Sequence, residues 1–276
     1  MTSREVCQVL ELSRSAFYAW KQAEPTVQER NDRTLEPLVN RIFHKHRRRY
    51  GSRRIVEELR DNGLICGRRR VAKLLEQQGL KAIQPKSFKP RSTESRHRLG
   101  YSPNLLLEAT EVTGINQLWV GDITYVPVRG YHFGYLATLM DCFSRRIVAW
   151  HFADDMTEGL VLKTLRLAIH SRSSTTKLIH HTDRGGQYAG REYRKTLERA
   201  AIRQSMSRPD NCYDNAFMES CLGTIKTELE MTEYENQRAA EKNIGDYIAY
   251  YNTERKHSSL GYLTPAQFES IGVSQK

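Results

Sequence analysis

Between residues 117 and 153 the chain passes through three strand-like runs, QLWVGDITYVPV, YHFGYLATLMD and RRIVAWHFA, joined by short turns. Such runs, rich in β-branched and aromatic residues and too closely spaced for a crossover helix, predict an antiparallel meander. A helical run at 157–171 then leads to TKLIHHTD, a fourth strand. REYRKTLERAA reads as a helix, IRQSMS as a fifth strand, and another helix follows near Met218. A last helix is expected at about 238–253, before RKHSSLGYLTPAQF.

The order β-β-β-α-β-α-β-α constrains the topology. It predicts an α/β fold of the RNase H-like kind, with a mixed five-stranded sheet and helices on both faces. No apolar run approaches the roughly eighteen residues of a membrane span, and the start lacks the apolar stretch of a signal peptide. A cytoplasmic protein is expected. Cys7, Cys66, Cys142, Cys212 and Cys221 are scattered, odd in number and without a C-x-x-C pair, which argues against a disulfide framework or a zinc site.

Charge divides the chain unevenly. The net charge is +11, but residues 1–100 hold 23 Lys and Arg against 11 Asp and Glu, a net of +12, leaving −1 for residues 101–276. In the basic third, TSREVCQVLELSRSAFYAWKQ reads as helix, turn, helix, with Thr2 or Ser3 as a cap and Ala16, Phe17 and Trp20 at helical spacing. RRRYGSRRIVEELRDNGLICGRRRVAKLLEQQGLKA repeats the plan. Ile55, Val56 and Leu59 form one apolar face, DNGLICG breaks the helix, and Val71, Leu74 and Leu75 form the next. Arg68, Arg69, Arg70 and Lys73 then lie at the start of a helix placed to read DNA. The expected organisation is a helical DNA-binding region at 1–82 with two helix-turn-helix-like units, a basic linker at 83–110, and an α/β core at 111–276 with a C-terminal helical extension.

The stretch RPDNCYDNAFMESCLGTIKTE holds an anomaly. At about 100° per residue, Met218, Cys221, Leu222, Ile225 and Leu229 make one apolar stripe, and Glu219 and Lys226 share its border with Gly223 between them. A mid-helix glycine costs roughly 1 kcal/mol relative to alanine, so close approach of another body is expected there. Asp122 within the first strand and Asp183 at the end of the fourth can converge with Glu219 in such a fold. Clustered acids repel and call for a cation. An all-oxygen donor set suits Mg²⁺ or Mn²⁺, and two ions could serve in-line displacement at phosphorus. Asp141 is set aside as a strand-end turn residue, and Asp154 and Asp155 as caps of the following helix. His180 and His181 are expected to pack in the strand or meet phosphate.

Four motifs, LWVGDITYV, HHTDRGGQY, SMSRPDNCYDNAFMESCLGTIKTE and YYNTERKHSSLGYLTPAQF, resemble the second-frame transposases of a large bacterial insertion-sequence family, the IS-three family, within the retroviral-integrase-like DDE superfamily. The resemblance covers about Leu118 to Phe268, with 35 residues between Asp183 and Glu219 as is usual there. It implies that Asp122, Asp183 and Glu219 bind metal and that Lys226 contacts DNA. Arg184, Arg208 and Asn215, within the same motifs, are expected DNA contacts, with Asp214 or Asn215 capping the helix. Thr182, Asp210, Cys221 and Leu222 depart from the usual residues without touching the triad.

What the resemblance implies is a transposase that cleaves a strand at its element's ends and joins the 3′-hydroxyl to another phosphodiester. Its implied partners are double-stranded DNA, both terminal inverted repeats and target, and further copies of itself. An upstream-frame product, OrfA, is expected as a partner or fusion, since the chain shows no zipper heptads. A nucleoid association follows when DNA is bound. The competing readings are a DNA-binding regulator without catalysis and a nuclease of the same fold without strand transfer.

Overall fold

The structure is a computed structural model that describes residues 3–22, 24–84, 100–107, 111–130, 132–172, 175, 177–208, 216–230 and 233–274. The chain divides into two compact units, Met1–Ala82 and Ile83–Lys276.

Among the described residues the first unit holds five helices: α1 (Ser3–Val9), α2 (Arg14–Gln22), α3 (Val27–Lys45), α4 (Ser52–Asp61) and α5 (Arg68–Gln77). Helix α3 begins at a reciprocal capping box. Glu29 N–H donates to Thr26 Oγ1 at 3.2 Å, and Thr26 N–H donates to the Glu29 carboxylate at 2.7 Å. Leu35, Val39, Ile42 and Phe43 of α3 are buried, as are Ile55, Val56 and Leu59 of α4 and Val71, Leu74 and Leu75 of α5. These faces meet, since α3 packs on both α4 and α5. Helix α4 ends where Gly63 adopts a φ of 76° and the amides of Gly63 and Leu64 return to the carbonyls of Arg60 and Leu59. The expected second helix pair is therefore present, completed by a third helix whose signal, the T-x-x-E of its capping box, stands at residues 26–29. The first pair is less buried than its periodicity suggests. Helix α2 buries no residue, and Trp20 is 74% exposed.

The second unit contains β1 (Leu118–Val128), β2 (His132–Asp141), β3 (Ile147–Ala153), α6 (Glu158–Ser171), β4 (Ile179–Thr182), α7 (Arg191–Arg199), β5 (Arg203–Met206), α8 (Ala216–Glu228), α9 (Gln237–Thr253) and α10 (Pro265–Ser274). The sheet order is β3-β2-β1-β4-β5. Strands β1, β2 and β3 pair antiparallel, whereas β1 pairs with β4, and β4 with β5, in parallel. The expected mixed sheet is observed in full. Trp119, Ala137, Leu139 and Ala149 on one face join Leu160, Leu165, Tyr193 and Leu197 of α6 and α7 in a continuous core. Alternation along β1 turns Val120 and Asp122 to the other face. There α8 and α9 pack against β1, burying Met218, Cys221, Leu222 and Ile225 together with Ile244, Tyr247 and Tyr251.

One part of the segment expected as a linker behaves differently. Residues 85–99 and 108–110 lie outside the described residues, but 100–107 is laid on the sheet. Met206 N–H donates to the Pro103 carbonyl at 3.4 Å, and Leu105 N–H donates to Ser205 Oγ at 3.0 Å, ahead of a short 3₁₀ turn at Leu105–Leu107. The physical reason is that β5 is an edge strand, whose outer polar groups are met by this segment.

Candidate active site

The parallel pairing of β1 with β4 is short and runs from Leu118 opposite Ile179 to Val120 opposite His181. Two further residues on each strand place Asp122 and Asp183 at matching positions as the strands part. Gly121 permits this closeness. A Cβ there would lie 3.0 Å from His180 Cε1, 3.2 Å from Leu139 Cδ2 and 3.5 Å from Thr182 Cγ2. Asp183 Oδ1 accepts a hydrogen bond from Gly185 N–H at 2.9 Å, which turns the chain away from β4. Among the described residues, Asp122 Oδ1 accepts only from its neighbour's amide, Ile123 N–H at 2.7 Å.

Helix α8 crosses this face with its buried stripe against β1. Glu219 is exposed, Lys226 is half-buried, and Gly223 between them is exposed. Among the described residues nothing lies within 4 Å of a Cβ built on Gly223, so packing within the protein does not demand a glycine there.

The charges of these side chains act on one another. Burial and then the charge of Asp183 push the Asp122 carboxyl up to about 7, with Glu219 adding to the rise while the Ile123 amide and Lys226 oppose it. Burial lowers the Lys226 ammonium, and Asp122 partly restores it. Asp183, Glu219 and Lys226 thus each lie within electrostatic reach of Asp122. Tyr188 was not anticipated, although it ends the motif HHTDRGGQY. It is buried, and burial followed by the charges of Asp122 and Asp183 holds its hydroxyl well above the ordinary phenol range. It stays neutral within electrostatic reach of both acids.

Among the described residues no three His, Cys, Asp or Glu side chains are gathered as a ready chelate. The donor set nevertheless fits a hard divalent cation. Oxygen ligands from a strand, the turn after a second strand and a helix are what Mg²⁺ or Mn²⁺ takes, and the strained charge on Asp122 is what such an ion would offset.

The competing acids have other work. Asp141 is fully buried, and its Oδ1 accepts from Phe143 N–H, Ser144 N–H and Ser144 Oγ while Oδ2 accepts from Asn116 N–H at 2.7 Å. Asp154 and Asp155 are exposed and do not cap α6, contrary to expectation, because the chain enters the helix only at Thr157, which makes no side-chain cap bond. His180 and His181 pack in the strand. His180 Nε2 meets Tyr193 Oη at 2.6 Å, and His181 lies between Ser205 Oγ and Ser207 Oγ. Burial pushes His180 down to about 3, so it is neutral.

The expected DNA contacts divide into two groups. Arg68, Arg69 and Lys73 are exposed on the first turns of α5, whose N-cap Gly67 provides no side-chain bond. Arg70 instead turns inward, pairing through Nε with Asp32 of α3 and donating from Nη2 to the Gln28 carbonyl at 3.1 Å. In the second unit Arg208 is exposed. Arg184 is engaged within the fold, donating from Nε to the Ser207 carbonyl at 2.7 Å with its guanidinium 4.4 Å from the Tyr101 ring centroid. Arg70 and Arg184 are therefore braces, because each meets a nearby acceptor that its fork geometry can satisfy. Asn215 and Asp214 lie outside the described residues.

The residue just past the C-terminal motif YYNTERKHSSLGYLTPAQF is engaged within the fold. Glu269 of α10 accepts from Ser144 Oγ, Arg146 and Arg172, and although burial would raise its carboxyl, these partners hold it below the usual range.

The family described as integrase core domain matches residues 113–212 and again 200–265, and an HTH-like domain matches 29–88. The chain is 40% identical over 265 residues to an insertion element IS600 protein of 31 kDa from Shigella sonnei, covering 95% of this chain and 97% of that one. It is 35% identical over 276 residues to the transposase InsF for insertion sequence IS3A of Escherichia coli K12, covering 98% and 95%. A solved structure of the HTLV-2 integrase catalytic core in complex with magnesium aligns with a TM-score of 0.45 at 17% identity, covering 56% of this chain and 97% of that one.

Proposed function

The chain belongs to the IS3-type insertion-sequence transposases with an integrase core, and on that premise we propose that it binds the ends of its element, cleaves one strand there and joins the freed 3′-hydroxyl to another phosphodiester. What supports the chemistry is the register that sets Asp122 of β1 beside Asp183, the residue after β4, with Glu219 on α8, which packs on β1; burial and then the charge of Asp183 raise the Asp122 carboxyl, and Glu219 adds to the rise. Asp122 and Asp183 are held by the sheet and Glu219 by α8, so the three carboxylates form the metal-binding set. Two bound Mg²⁺ or Mn²⁺ ions would supply activation of the attacking oxygen and stabilisation of the leaving one. Lys226 places a scissile phosphate beside the acids, and the open surface at Gly223 lets a DNA backbone approach α8 closely. In the first unit Arg68, Arg69 and Lys73 take phosphates or base edges at the start of α5, where the uncapped amides also favour an anion. Arg208 is a further contact. Several copies acting together on DNA, with an OrfA partner or fusion, complete the proposal, since two ends and a target must be held at once.

Strand cleavage on oligonucleotides carrying an element end tests the site. Asp122→Asn, Asp183→Asn and Glu219→Gln should each abolish cleavage while leaving DNA affinity intact, and cleavage should require Mg²⁺ or Mn²⁺. A variant that cleaves at a near wild-type rate would remove its residue from the site.

A further inference from the structure

We propose that Arg255, in the segment after α9, is a positioning residue that sets the reach of Glu219 and Lys226 by clamping the far end of α8 through Glu228. The proposal rests on the functional reading above. Glu228 is the last residue of α8, and both it and Arg255 are buried, at 8% and 5% exposure. The guanidinium grips the carboxylate as a fork: Arg255 Nε lies 3.0 Å from Oε1 and 2.9 Å from Oε2, and Nη2 donates to Oε1 at 2.7 Å. Tyr247 Oη of α9 donates to the same carboxylate at 3.0 Å, and Arg255 Nη1 lies 3.3 Å from a ring nitrogen of His257. Burial alone would lower the guanidinium's affinity for its proton, but the bonds and charge of Glu228 hold it above its ordinary value.

A second grip lies two turns earlier on the same stripe. The Cys221 thiol donates to Tyr251 Oη at 3.7 Å, and Arg255 stands over the Tyr251 ring, 5.5 Å from its centroid. Arg255 thus links the C-terminal end of α8 to the aromatic side chains that pack against its middle.

Stability is a weak reason for such a pair. Replacing a buried ion pair by apolar groups is often neutral or stabilising, whereas the bidentate fork fixes orientation. Orientation matters here because α8 is a lever. Glu219 stands nine residues before Glu228, about 13 Å along the axis, so a tilt of roughly 10° at the clamp would shift its carboxylate by about 2 Å. A misplacement of about 1 Å in a reacting geometry can cost on the order of 100-fold in rate.

The test compares full-length wild type, Arg255→Lys, Arg255→Met and the double variant Glu228→Gln/Arg255→Met. The single Met variant leaves a buried carboxylate without its fork and should melt earlier. The double variant removes both charges and should melt near wild type. Hydrogen exchange followed by mass spectrometry reads α8 directly, alongside the rate of joining element-end DNA and the DNA affinity. The double variant should show α8 amides exchanging about tenfold faster with β1 unchanged, joining slowed about tenfold or more, and affinity unchanged. Arg255→Lys should fall between it and wild type, and it decides the matter by the same readouts if the double variant does not fold. A folded variant with wild-type α8 protection and wild-type joining would overturn the clamp. If wild type itself joined no DNA, the functional reading would fail, and the exchange data would still decide the clamp.

Discussion

Asp122, within β1, and Asp183, the residue that follows β4, each stand two residues beyond the last pair of these parallel strands, Val120 opposite His181. Parallel strands run about 4.8 Å apart, so a carboxylate within β1 and one just past the end of β4 repel unless something offsets them. Burial is the main cause of the raised Asp122 carboxyl, and the register of β1 against β4, which sets Asp183 beside it, adds to the rise.

A pH dependence of stability follows. The Asp122 carboxyl sits at about 7 in the fold against an ordinary 3.8. A group raised in the folded state favours folding fully below its unfolded value, and that contribution is lost as pH rises through the folded value. In metal-free protein this loss falls between about pH 4 and 7. Thermal melts of Asp122→Asn against wild type should show the variant more stable at pH 8, by several degrees, with the gap shrinking at pH 5. Added Mg²⁺ should narrow the gap at pH 8 by stabilising wild type. A gap independent of pH would contradict the assignment.

Lys226 should matter to alignment more than to affinity. One screened phosphate contact among many is worth about 1 kcal/mol or less, near fivefold, whereas misplacing the reacting phosphate costs about 100-fold. Joining rates and gel-shift affinities of Lys226→Ala should separate in this way, and Lys226→Arg should be milder. Equal losses in both measurements would make Lys226 an ordinary surface contact.

Two kinds of arginine at the start of α5 predict two kinds of outcome. Replacing Arg68, Arg69 and Lys73 by Gln should reduce the slope of log affinity against log salt by about 0.9 for every phosphate no longer neutralised, without lowering the melting temperature. Arg70→Gln breaks the link to Asp32 and Gln28 and should lower the melting temperature instead. An unchanged salt slope in the triple variant would move the main DNA-binding surface elsewhere.

Much of the core was legible because its signals are local. Strand texture and short turns marked β1 to β3, and the 3.6-residue period marked α8 with Met218, Cys221, Leu222 and Ile225 inside. Asp122 stood out because a carboxylate within an apolar strand is rare. What escaped is long-range. Nothing near Arg70 in sequence names Asp32, 38 residues away, and nothing near Arg255 names Glu228. Tyr188 reads as a loop residue until the fold buries it within electrostatic reach of Asp122 and Asp183. The docking of 100–107 on β5 is likewise hidden, since Pro, Ser and basic residues look like a linker whether or not an open strand edge lies within reach.

Covalent joining tests the central claim most directly, because a metal site of this kind can direct either water or a DNA hydroxyl at phosphorus. Labelled element-end DNA with a free 3′-hydroxyl, incubated with the full-length protein and its upstream-frame extension in Mg²⁺ or Mn²⁺, should yield strands joined to target DNA. The same end terminated by a dideoxynucleotide should yield none, and Glu219→Gln should yield none from either. Folded protein that only nicked or shortened correct ends under these conditions would contradict the account and leave a nuclease in its place.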